Sequence, residues 1–457
     1  MKPFNAKNYQ QIPGLYHWLT FLLPSLAGLL LFVMPVMIEG EYTIPVAILA
    51  GLLKSMLSGF LPAIITLVLV VSCLLTLLAK WFSPHWIIDR PFLAGLFDIS
   101  PIWCLIRVVG MIFVLIGFFR VGPEAIWSES TGGMVLNELM PTLFAVFLFA
   151  GLLLPLLMNF GLLELLGTLM TRVMRPLFNL PGRAAIDCIA SWLGDGSVGI
   201  LMTSKQYETA HYTQREAAVI GTTFSAVSIT FSLVVIAQVG LEHLFAPFYL
   251  TVCLAGVVAA VIVPRLPPLS RKKDLFITGK GRTGDEEAIP EGFGGLSWGL
   301  RLALHKASRV GSPAQVVADG CKNAIDMVLG VLPVVMGVGT VALMISEYTP
   351  IFHYLGLPFL PLLQLLQIPE ADIASTTMVV GFADMFVPSI LAASISSEMT
   401  RFVIAALSLT QLIYLSEVGA LLLGSRIPVS LLELFVIFIL RTLVTLPIIA
   451  GMAHLIF

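Results

Sequence analysis

The sequence predicts an all-α protein that crosses a membrane many times. Among its 457 residues, 58% are hydrophobic and 11% are charged, and the mean hydropathy is +0.97. A soluble chain of this length needs far more charge to solvate its surface. Several apolar segments have the roughly 20 residues with which a helix crosses a hydrocarbon core of about 30 Å. We therefore expect a polytopic protein in a lipid bilayer, with no nucleic-acid partner.

About nine apolar segments are predicted to cross the membrane as full helices. They are Leu19–Ile38, Leu61–Phe82, Pro101–Phe119, Pro141–Phe160, Glu216–Gln238, Leu244–Pro264, Lys322–Ile345, Phe402–Gly424 and Leu431–Ile456. The N-terminus is polar for its first dozen residues, so we expect no cleavable signal. The run Thr43–Gly59 is predicted to be a half-length or interfacial helix, because Leu61–Phe82 crosses directly after it. A full crossing stays open for this run.

The segment Ala184–Thr203 is apolar at both ends and polar in its middle, which reads Gly194-Asp195-Gly196-Ser197. Two glycines favour a break in the helix, and the break frees backbone N–H and C=O groups beside a carboxylate. At membrane depth such groups are tolerated only in a polar cavity or inside protein, and the Asp costs roughly 2.5–3.5 kcal/mol. The pattern predicts a broken helix with a solute or ion site at these four residues. The ordinary alternative is that Asp195 only caps a half-helix.

A second segment, Ala371–Ile395, resembles a degenerate copy of the first. It carries Gly381, Asp384 and Pro388 within an apolar run. We predict a second broken helix in which Asp384 takes the role of Asp195, and the same helix-cap alternative applies to it.

One long hydrophilic segment, from Arg265 to about Pro313, holds nine of the 25 Lys and Arg residues. By the positive-inside rule it is cytoplasmic, which places the N-terminus inside and the C-terminus outside. Within it, Trp298–Val310 has the pattern of an amphipathic helix that lies on anionic lipid. A solvated connector helix is the alternative.

The chain is predicted to contain two repeats of opposite orientation. Glu164 aligns with Glu347, Pro181 with Pro369, Asp195 with Asp384, and Arg215 with Arg401, at offsets of 183, 188, 189 and 186 residues. Each copy holds an odd number of full crossings, so the second copy is inverted, as in many secondary transporters. Chance alignment of apolar sequence is the alternative. The predicted parts are N-terminal helices 1–139, a first repeat 140–264, a cytoplasmic linker 265–313 and a second repeat 314–457.

Further site candidates are polar residues on the spans that follow the broken helices. They are Thr222, Ser225, Gln411, Glu417 and Arg441. Glu417 and Arg441 are predicted to form a charged lining, although Glu417 has an ordinary alternative as a hydrogen-bonding partner of a neighbouring helix. Arg107 is expected to extend toward the lipid headgroups.

Two other patterns are rejected. The residues Gly194-x-Gly196-x-x-Gly199 match the dinucleotide fingerprint by letter, but no strand precedes them. The five cysteines lack metal-ligand spacing and are predicted to be core residues. We expect no cofactor and no enzymatic activity, with Na⁺ or H⁺ as a possible coupling ion.

Several longer motifs resemble those of one known family. They are LPGRAAID (180–187), SWLG (191–194), TQREAAVI (213–220), VGFADMFVP (380–388) and SEVGA (416–420). Together they resemble the YjiH-like bacterial membrane proteins of the nucleoside-recognition Gate-domain family. The resemblance implies a gating fold in the bacterial inner membrane. It does not specify a substrate, because members of the wider group differ in what they carry.

Two functions follow as expectations. The first is a cation-coupled secondary transporter of a small polar solute, nucleoside-like or amino-acid-like. The alternative is a non-transporting Gate-domain subunit that scaffolds or gates a larger complex. A homo-oligomer or a second Gate-domain subunit is a possible partner, and an intramembrane enzyme is the least supported function.

Overall fold

The computed structural model describes residues 15–32, 34, 36–38, 41–193, 196–224, 229–281, 289–290 and 293–457. Within these ranges, seven helical segments are long and apolar enough to cross a membrane: Leu15–Phe32, Leu61–Phe82, Pro101–Phe119, Glu124–Met158, Glu242–Arg265, Pro313–Tyr348 and Leu431–Ile456. The chain is therefore an all-α, multi-pass membrane protein, as predicted.

The N-terminal part packs against helices of both repeats. Its elements are α1 (Leu15–Phe32), β1 (Val36–Ile38), β2 (Glu41–Thr43), α2 (Pro45–Met56), α3 (Leu61–Phe82), α4 (His85–Ile88), α5 (Pro91–Phe97), α6 (Pro101–Phe119) and α7 (Glu124–Trp127). Strands β1 and β2 pair as a short antiparallel hairpin. The first span therefore ends at Phe32 and not at Ile38. Helix α2 has 12 residues, about 18 Å at 1.5 Å per residue, which is half a crossing as predicted.

The first repeat contains the first broken helix and a second interruption. Its elements are α8 (Gly132–Met134), a π-helical turn (Val135–Leu139), α9 (Met140–Met158), α10 (Leu162–Phe178), α11 (Ala184–Leu193), α12 (Gly196–Glu208), α13 (Gln214–Thr223), α14 (Ile229–Gln238) and α15 (Phe245–Ile262). Helices α11 and α12 flank Gly194 and Asp195, which lie outside the described residues.

The linker leads through α16 (Gly295–Ala307) into the second repeat. The elements that follow are α17 (Pro313–Asp326), a π-helical turn (Met327–Val331), α18 (Leu332–Tyr348), α19 (Ile351–Gly356), α20 (Leu360–Leu365), α21 (Ala371–Thr377), α22 (Val387–Ala392), α23 (Glu398–Gln411), α24 (Val418–Gly424) and α25 (Leu431–Ile456). The predicted second broken helix is present as α21 and α22, which a 3₁₀ turn and an irregular segment separate.

The two repeats share one order of elements. A π-helical turn precedes α9 in the first and α18 in the second. A broken helix, an interrupted helix and a continuous final helix then follow in both. The opposite orientation of the repeats stays a prediction, because the order of elements does not by itself determine it.

Two of the nine predicted full crossings are interrupted. The span Phe402–Gly424 divides into α23 and α24, and residues 412–417 between them are not helical. The span Glu216–Gln238 divides into α13, which ends at Thr223, and α14. The prediction of continuous helices was wrong here, because both runs are apolar enough on average to read as one span and neither contains a proline that would indicate a break.

Small residues bring the helices close together where the layers cross. A Cβ added at Gly110 of α6 would lie 2.2 Å from the carbonyl oxygen of Pro333 in α18. A Cβ at Gly320 of α17 would lie 2.4 Å from the carbonyl oxygen of Leu152 in α9. Such close backbone contacts are how membrane helices gain packing energy without a hydrophobic driving force.

Helix α16 packs on protein, which corrects the expectation that it lies on lipid. Its buried residues Ala303, Leu304 and Ala307 form a cluster with Phe21 of α1, and Gly299 contacts α10. Burial, with a smaller effect of Arg309, lowers the pKa of His305, so this side chain is less readily protonated for contact with anionic lipid. The apolar face that suggested a membrane surface therefore faces α1 and α10.

The five cysteines are free. The prediction that they are core residues is confirmed for Cys73, which is buried, and wrong for Cys321, which is exposed; the other three are half-buried.

Candidate functional site

Asp384 lies in the gap of the second broken helix, between α21 and α22. Its side chain is buried, with 7% of the residue exposed. One carboxylate oxygen accepts the N–H of Phe386 at 2.8 Å, and the other accepts the hydroxyl of Ser416 at 2.7 Å. The carboxylate therefore binds its own broken backbone and also a residue from the second interrupted helix.

The backbones of these two gaps are hydrogen-bonded to each other. The N–H of Leu415 donates to the carbonyl of Phe382 at 2.8 Å, and the N–H of Ser416 donates to that of Ala383 at 2.9 Å. Residues 412–417 have left the helix, so their N–H groups need other acceptors at membrane depth. The broken helix supplies these acceptors, which explains why both helices are interrupted at the same place.

Gln411 is the last helical residue of α23 and joins three elements. Its side-chain amide donates to the carbonyl of Met378 at 2.8 Å and to the hydroxyl of Thr442 at 2.9 Å. The amide nitrogen thus holds the end of α21 against α25. The predicted role of Gln411 in solute binding is not tested by this geometry.

Glu417 precedes the first residue of α24. It is half-buried, and the hydroxyl of Tyr414 donates to one of its carboxylate oxygens at 3.3 Å. The carboxylate lies next to the same gap as Ser416.

Arg441 contacts the carboxyl ends of both interrupted helices. Its side chain is 0% exposed, and Nε and Nη2 donate to the carbonyl of Thr410 at 2.9 and 2.7 Å. Nη1 donates to the carbonyl of Thr223 at 3.3 Å. A cation at a helix carboxyl end is favourable because unpaired carbonyls carry partial negative charge there. Among the described residues, the Arg441 guanidinium donates to carbonyl groups, and the charged lining that Glu417 and Arg441 were expected to form stays a prediction.

In the first repeat only part of the predicted site falls on described residues. Gly194, Asp195 and Ser225 lie outside them. Gly196 begins α12, and Ser197 is fully buried in its first turn. The hydroxyl of Thr222 donates to the carbonyl of Ala218 at 2.7 Å, so it hydrogen-bonds within its own helix.

Asp187 is a buried acid of α11 that the sequence analysis did not select as a site residue. It is 0% exposed and accepts hydrogen bonds from Gln206 at 2.7 Å, Tyr212 at 3.0 Å and Thr203 at 3.1 Å. These donors lie on α12 and just beyond it, so the carboxylate joins the two halves of the first broken helix. An acid in an otherwise apolar helix was the available signal.

A polar cavity of about 310 Å³ lies where α12 meets α24, α17 and the α5–α6 region. Its charged lining residues are Asp98, Arg107, Lys205, Glu208, Asp326 and Arg426. Helix α24 begins after the gap at residues 412–417, and α12 begins at Gly196 in the first predicted repeat. The cavity lies within two or three turns of the start of each helix.

Two acids in this cavity share one ammonium group. Lys205 donates to Glu208 at 3.0 Å and also to Asp326. The three side chains come from α12 and α17, so the pairing connects the first repeat to the second.

The two guanidinium groups of the cavity have neutral partners. Arg107 donates to Thr76 at 2.8 Å and to the carbonyls of Leu96 at 3.0 Å and Gly330 at 3.3 Å. Arg426 donates to the carbonyl of Gly95 at 2.7 Å. Gly95 and Leu96 are adjacent, so both guanidiniums are held near the carboxyl end of α5.

None of these six charged residues was selected from the sequence as a site residue. Arg107 was expected to reach the headgroups, but it is buried, with 5% exposed. The lining residues are far apart in sequence and share no spacing, so only the fold brings them together.

Three comparisons place these observations among known proteins. Residues 140–242 match the Gate family model, whose description is nucleoside recognition. An uncharacterised protein of Alkalihalophilus pseudofirmus is 52% identical over 439 residues, which cover 96% of this chain and 95% of that protein. A solved structure of CNTnw in an inward-facing substrate-bound state aligns over 90% of this chain and 97% of that one. The TM-score is 0.32 and the identity 14%, values too low to support an argument.

Proposed function

The chain belongs to the nucleoside-recognition Gate family, and from that premise we propose that it is a secondary transporter of a small polar solute, nucleoside-like or amino-acid-like. Membership of this family also confirms that the chain is not an enzyme. The observation that carries the proposal is the cavity of about 310 Å³ at the junction of half-helices α12 and α24.

The free-energy cost of keeping charged side chains around this cavity supports the proposal. Charged side chains inside a membrane protein are costly and face a bundle interior or a water-filled cavity, where they mark solute or ion pathways. Here six charged residues line one cavity in a chain with only 11% charged residues. A volume near 300 Å³ lies at the lower end of the range for small-molecule sites.

The gaps beside the cavity support the coupling to an ion. In transporters with discontinuous helices, unwound carbonyls and half-helix ends hold the coupling cation. Asp384, with Ser416 and the neighbouring carbonyls, offers oxygen ligands for Na⁺, or a carboxylate that a proton can neutralise. Glu417 adds a second acid beside the same gap.

The proposal also includes the membrane, the orientation of the termini and the partner subunits. We propose a bacterial inner membrane with the N-terminus in the cytoplasm and the C-terminus outside, because the positive-inside rule favours a cytoplasmic position for the basic linker. A homo-oligomer or a second Gate-domain subunit is compatible with this arrangement.

Reconstitution tests the function. Purified protein in vesicles is supplied with labelled nucleosides and amino acids under imposed Na⁺ and H⁺ gradients. We expect at least one solute to accumulate under one gradient and to exchange without it, whereas protein-free vesicles do neither. If no solute accumulates or exchanges, and a second membrane subunit co-purifies, the chain is the scaffold or gate of a larger complex.

A further inference from the structure

The cavity at the α12–α24 junction is lined by three cations and three acids, but one of the acids is paired with a residue outside the cavity. Asp98 lies 3.8 Å from Lys80, which does not line the cavity, and Lys205 pairs with Glu208 and Asp326. Among the described residues, Arg107 and Arg426 form no ion pair with a carboxylate. Without Asp98, three cations face two acids, which leaves a surplus of one positive charge.

We propose that the Arg107 and Arg426 guanidiniums bind the carboxylate of the transported solute, which makes that solute a small organic acid or amino acid. This inference rests on the proposed transport function and specifies its substrate class. Guanidinium groups present a planar set of N–H donors that matches the two oxygens of a carboxylate.

Arg107 has hydrogen-bonding capacity that the protein does not use. Its Nη1 and Nη2 donate to a hydroxyl and two carbonyls, but the buried Nε has no hydrogen-bond partner. A buried donor without a partner costs about 1–3 kcal/mol, more when it is charged. Other atoms of this side chain line the cavity, so the charge of the guanidinium acts on an anion held there.

The position of Arg426 adds a second donor group beside the first. It follows α24 directly and donates to Gly95, while Arg107 donates to the adjacent carbonyl of Leu96. Two like charges held near one helix end repel each other, and a carboxylate bound by both relieves the repulsion. Arg107 comes from the N-terminal helices and Arg426 from the second repeat, so one bound carboxylate would connect these two parts of the molecule.

The charge balance favours a carboxylate over a phosphate. One carboxylate neutralises the surplus charge, whereas a phosphate ester carries about −1.5 to −2 charges and would leave negative charge beside Asp326 and Glu208. An uncharged nucleoside would leave both guanidiniums unpaired. The cavity has room for about ten water molecules at ~30 Å³ each, which suits a solute of about ten heavy atoms.

Ligand-induced stabilisation of the purified full-length protein tests the inference. The probes are matched pairs that differ only in the carboxylate: L-glutamine with 4-aminobutanamide, and L-leucine with 3-methylbutylamine. Lactate, succinate, inorganic phosphate, glycerol phosphate and uridine complete the set. We expect the melting temperature to rise with the concentration of at least one carboxylate probe and not with its amine partner.

Variants locate the binding to the two arginines. Arg426→Gln should weaken binding of that probe by about tenfold or more, the loss expected for one hydrogen bond to a charged group. Arg107→Lys keeps the charge but loses the planar fork, and it should also weaken binding. Arg120→Gln changes an arginine that is 63% exposed outside the cavity, and it should leave binding unchanged.

The other outcomes separate a wrong substrate class from a wrong transport function. If uridine stabilises the protein as well as the carboxylates do, or if Arg426→Gln binds as the parent does, the carboxylate inference is wrong while transport stands. Stabilisation by phosphate or glycerol phosphate alone also overturns it. If vesicles accumulate a solute that has no carboxylate, the substrate class is wrong. If no solute is bound or moved, the proposed transport function itself fails.

Discussion

The hydroxyl of Ser416 lies 2.7 Å from a carboxylate oxygen of Asp384, and this hydrogen bond joins the gaps of two different helices. Asp384 belongs to the broken helix of the second repeat, and Ser416 to the interrupted helix that follows it. The carboxylate is both a structural connection and a candidate ion site. A substitution that keeps its hydrogen bonds and removes its charge separates the two roles.

The substitution Asp384→Asn separates the structural role of the carboxylate from its role as an ion site. The amide oxygen still accepts the Phe386 N–H, and the amide nitrogen donates to Ser416, so the fold should persist. We expect normal membrane levels, loss of gradient-driven accumulation and retained solute exchange, measured in the same vesicles.

Ser416→Ala keeps the carboxylate charge but removes one hydrogen bond to Asp384 and one proposed oxygen ligand for Na⁺. It should weaken gradient-driven accumulation less than Asp384→Asn does, because the charged ligand remains. If Asp384→Asn accumulates solute like the parent, the carboxylate is only a helix cap and the coupling mechanism is wrong.

A second prediction concerns Arg441. Its guanidinium satisfies the carbonyls of Thr410 and Thr223 at the ends of both interrupted helices. Arg441→Met leaves these carbonyls without a donor, at about 1–3 kcal/mol each, and this cost is partly offset because a buried charge is removed. We expect a net loss of about 2 kcal/mol, read as a lower melting temperature of the purified protein. The melting temperature of Arg441→Lys should lie between those of the parent and of the Met variant. A Met variant as stable as the parent would refute this role of Arg441.

The interruption of the second repeat shows where sequence reasoning failed. The spans Leu61–Phe82 and Pro101–Phe119 have the predicted bounds, because polar or proline-containing segments flank long apolar runs. Residues 412–417 contain no Gly or Pro, so the run Phe402–Gly424 reads as one helix. The break is stabilised by hydrogen bonds from Leu415 and Ser416 to distant carbonyls, which no local pattern encodes.

A third prediction tests the close crossing of α6 and α18. Gly110→Ala places a Cβ 2.2 Å from the carbonyl oxygen of Pro333, so the helices must separate. Overpacking of this kind costs about 1–3 kcal/mol. Gly256→Ala in α15 is the control, because nothing lies within 4 Å of the added Cβ. Thermal unfolding should show a clear loss for the first variant only, and equal stability of the two would contradict this packing.

A fourth prediction concerns the inverted orientation of the repeats. Thr209 follows α12, Ser396 follows α22, and both are exposed in corresponding loops. Single cysteines at these positions, in a background in which the five native cysteines are replaced, should react with an impermeant maleimide from opposite sides of the membrane. Reaction of both from the same side would rule out the inverted repeat.

The candidate site was predicted only in part. Asp384 was identified because an acid in an apolar run is costly, and the structure places it in a gap as expected. The cavity was missed because Arg107, Lys205 and Arg426 lie on three distant segments that only tertiary packing unites. Arg441 was selected correctly as a buried cation, but its partners are backbone carbonyls, which carry no sequence signal.

The most direct measurement of the central claim is solute uptake after the cavity is filled. Ser204 lies on α12, is 6% exposed and lines the cavity, so Ser204→Trp should occupy the solute volume. Thr209→Trp, just beyond the same helix and exposed, is the matched control. With both variants at parental levels in vesicles, we predict that Thr209→Trp accumulates solute as the parent does and Ser204→Trp does not. Equal accumulation by the two variants would contradict the account.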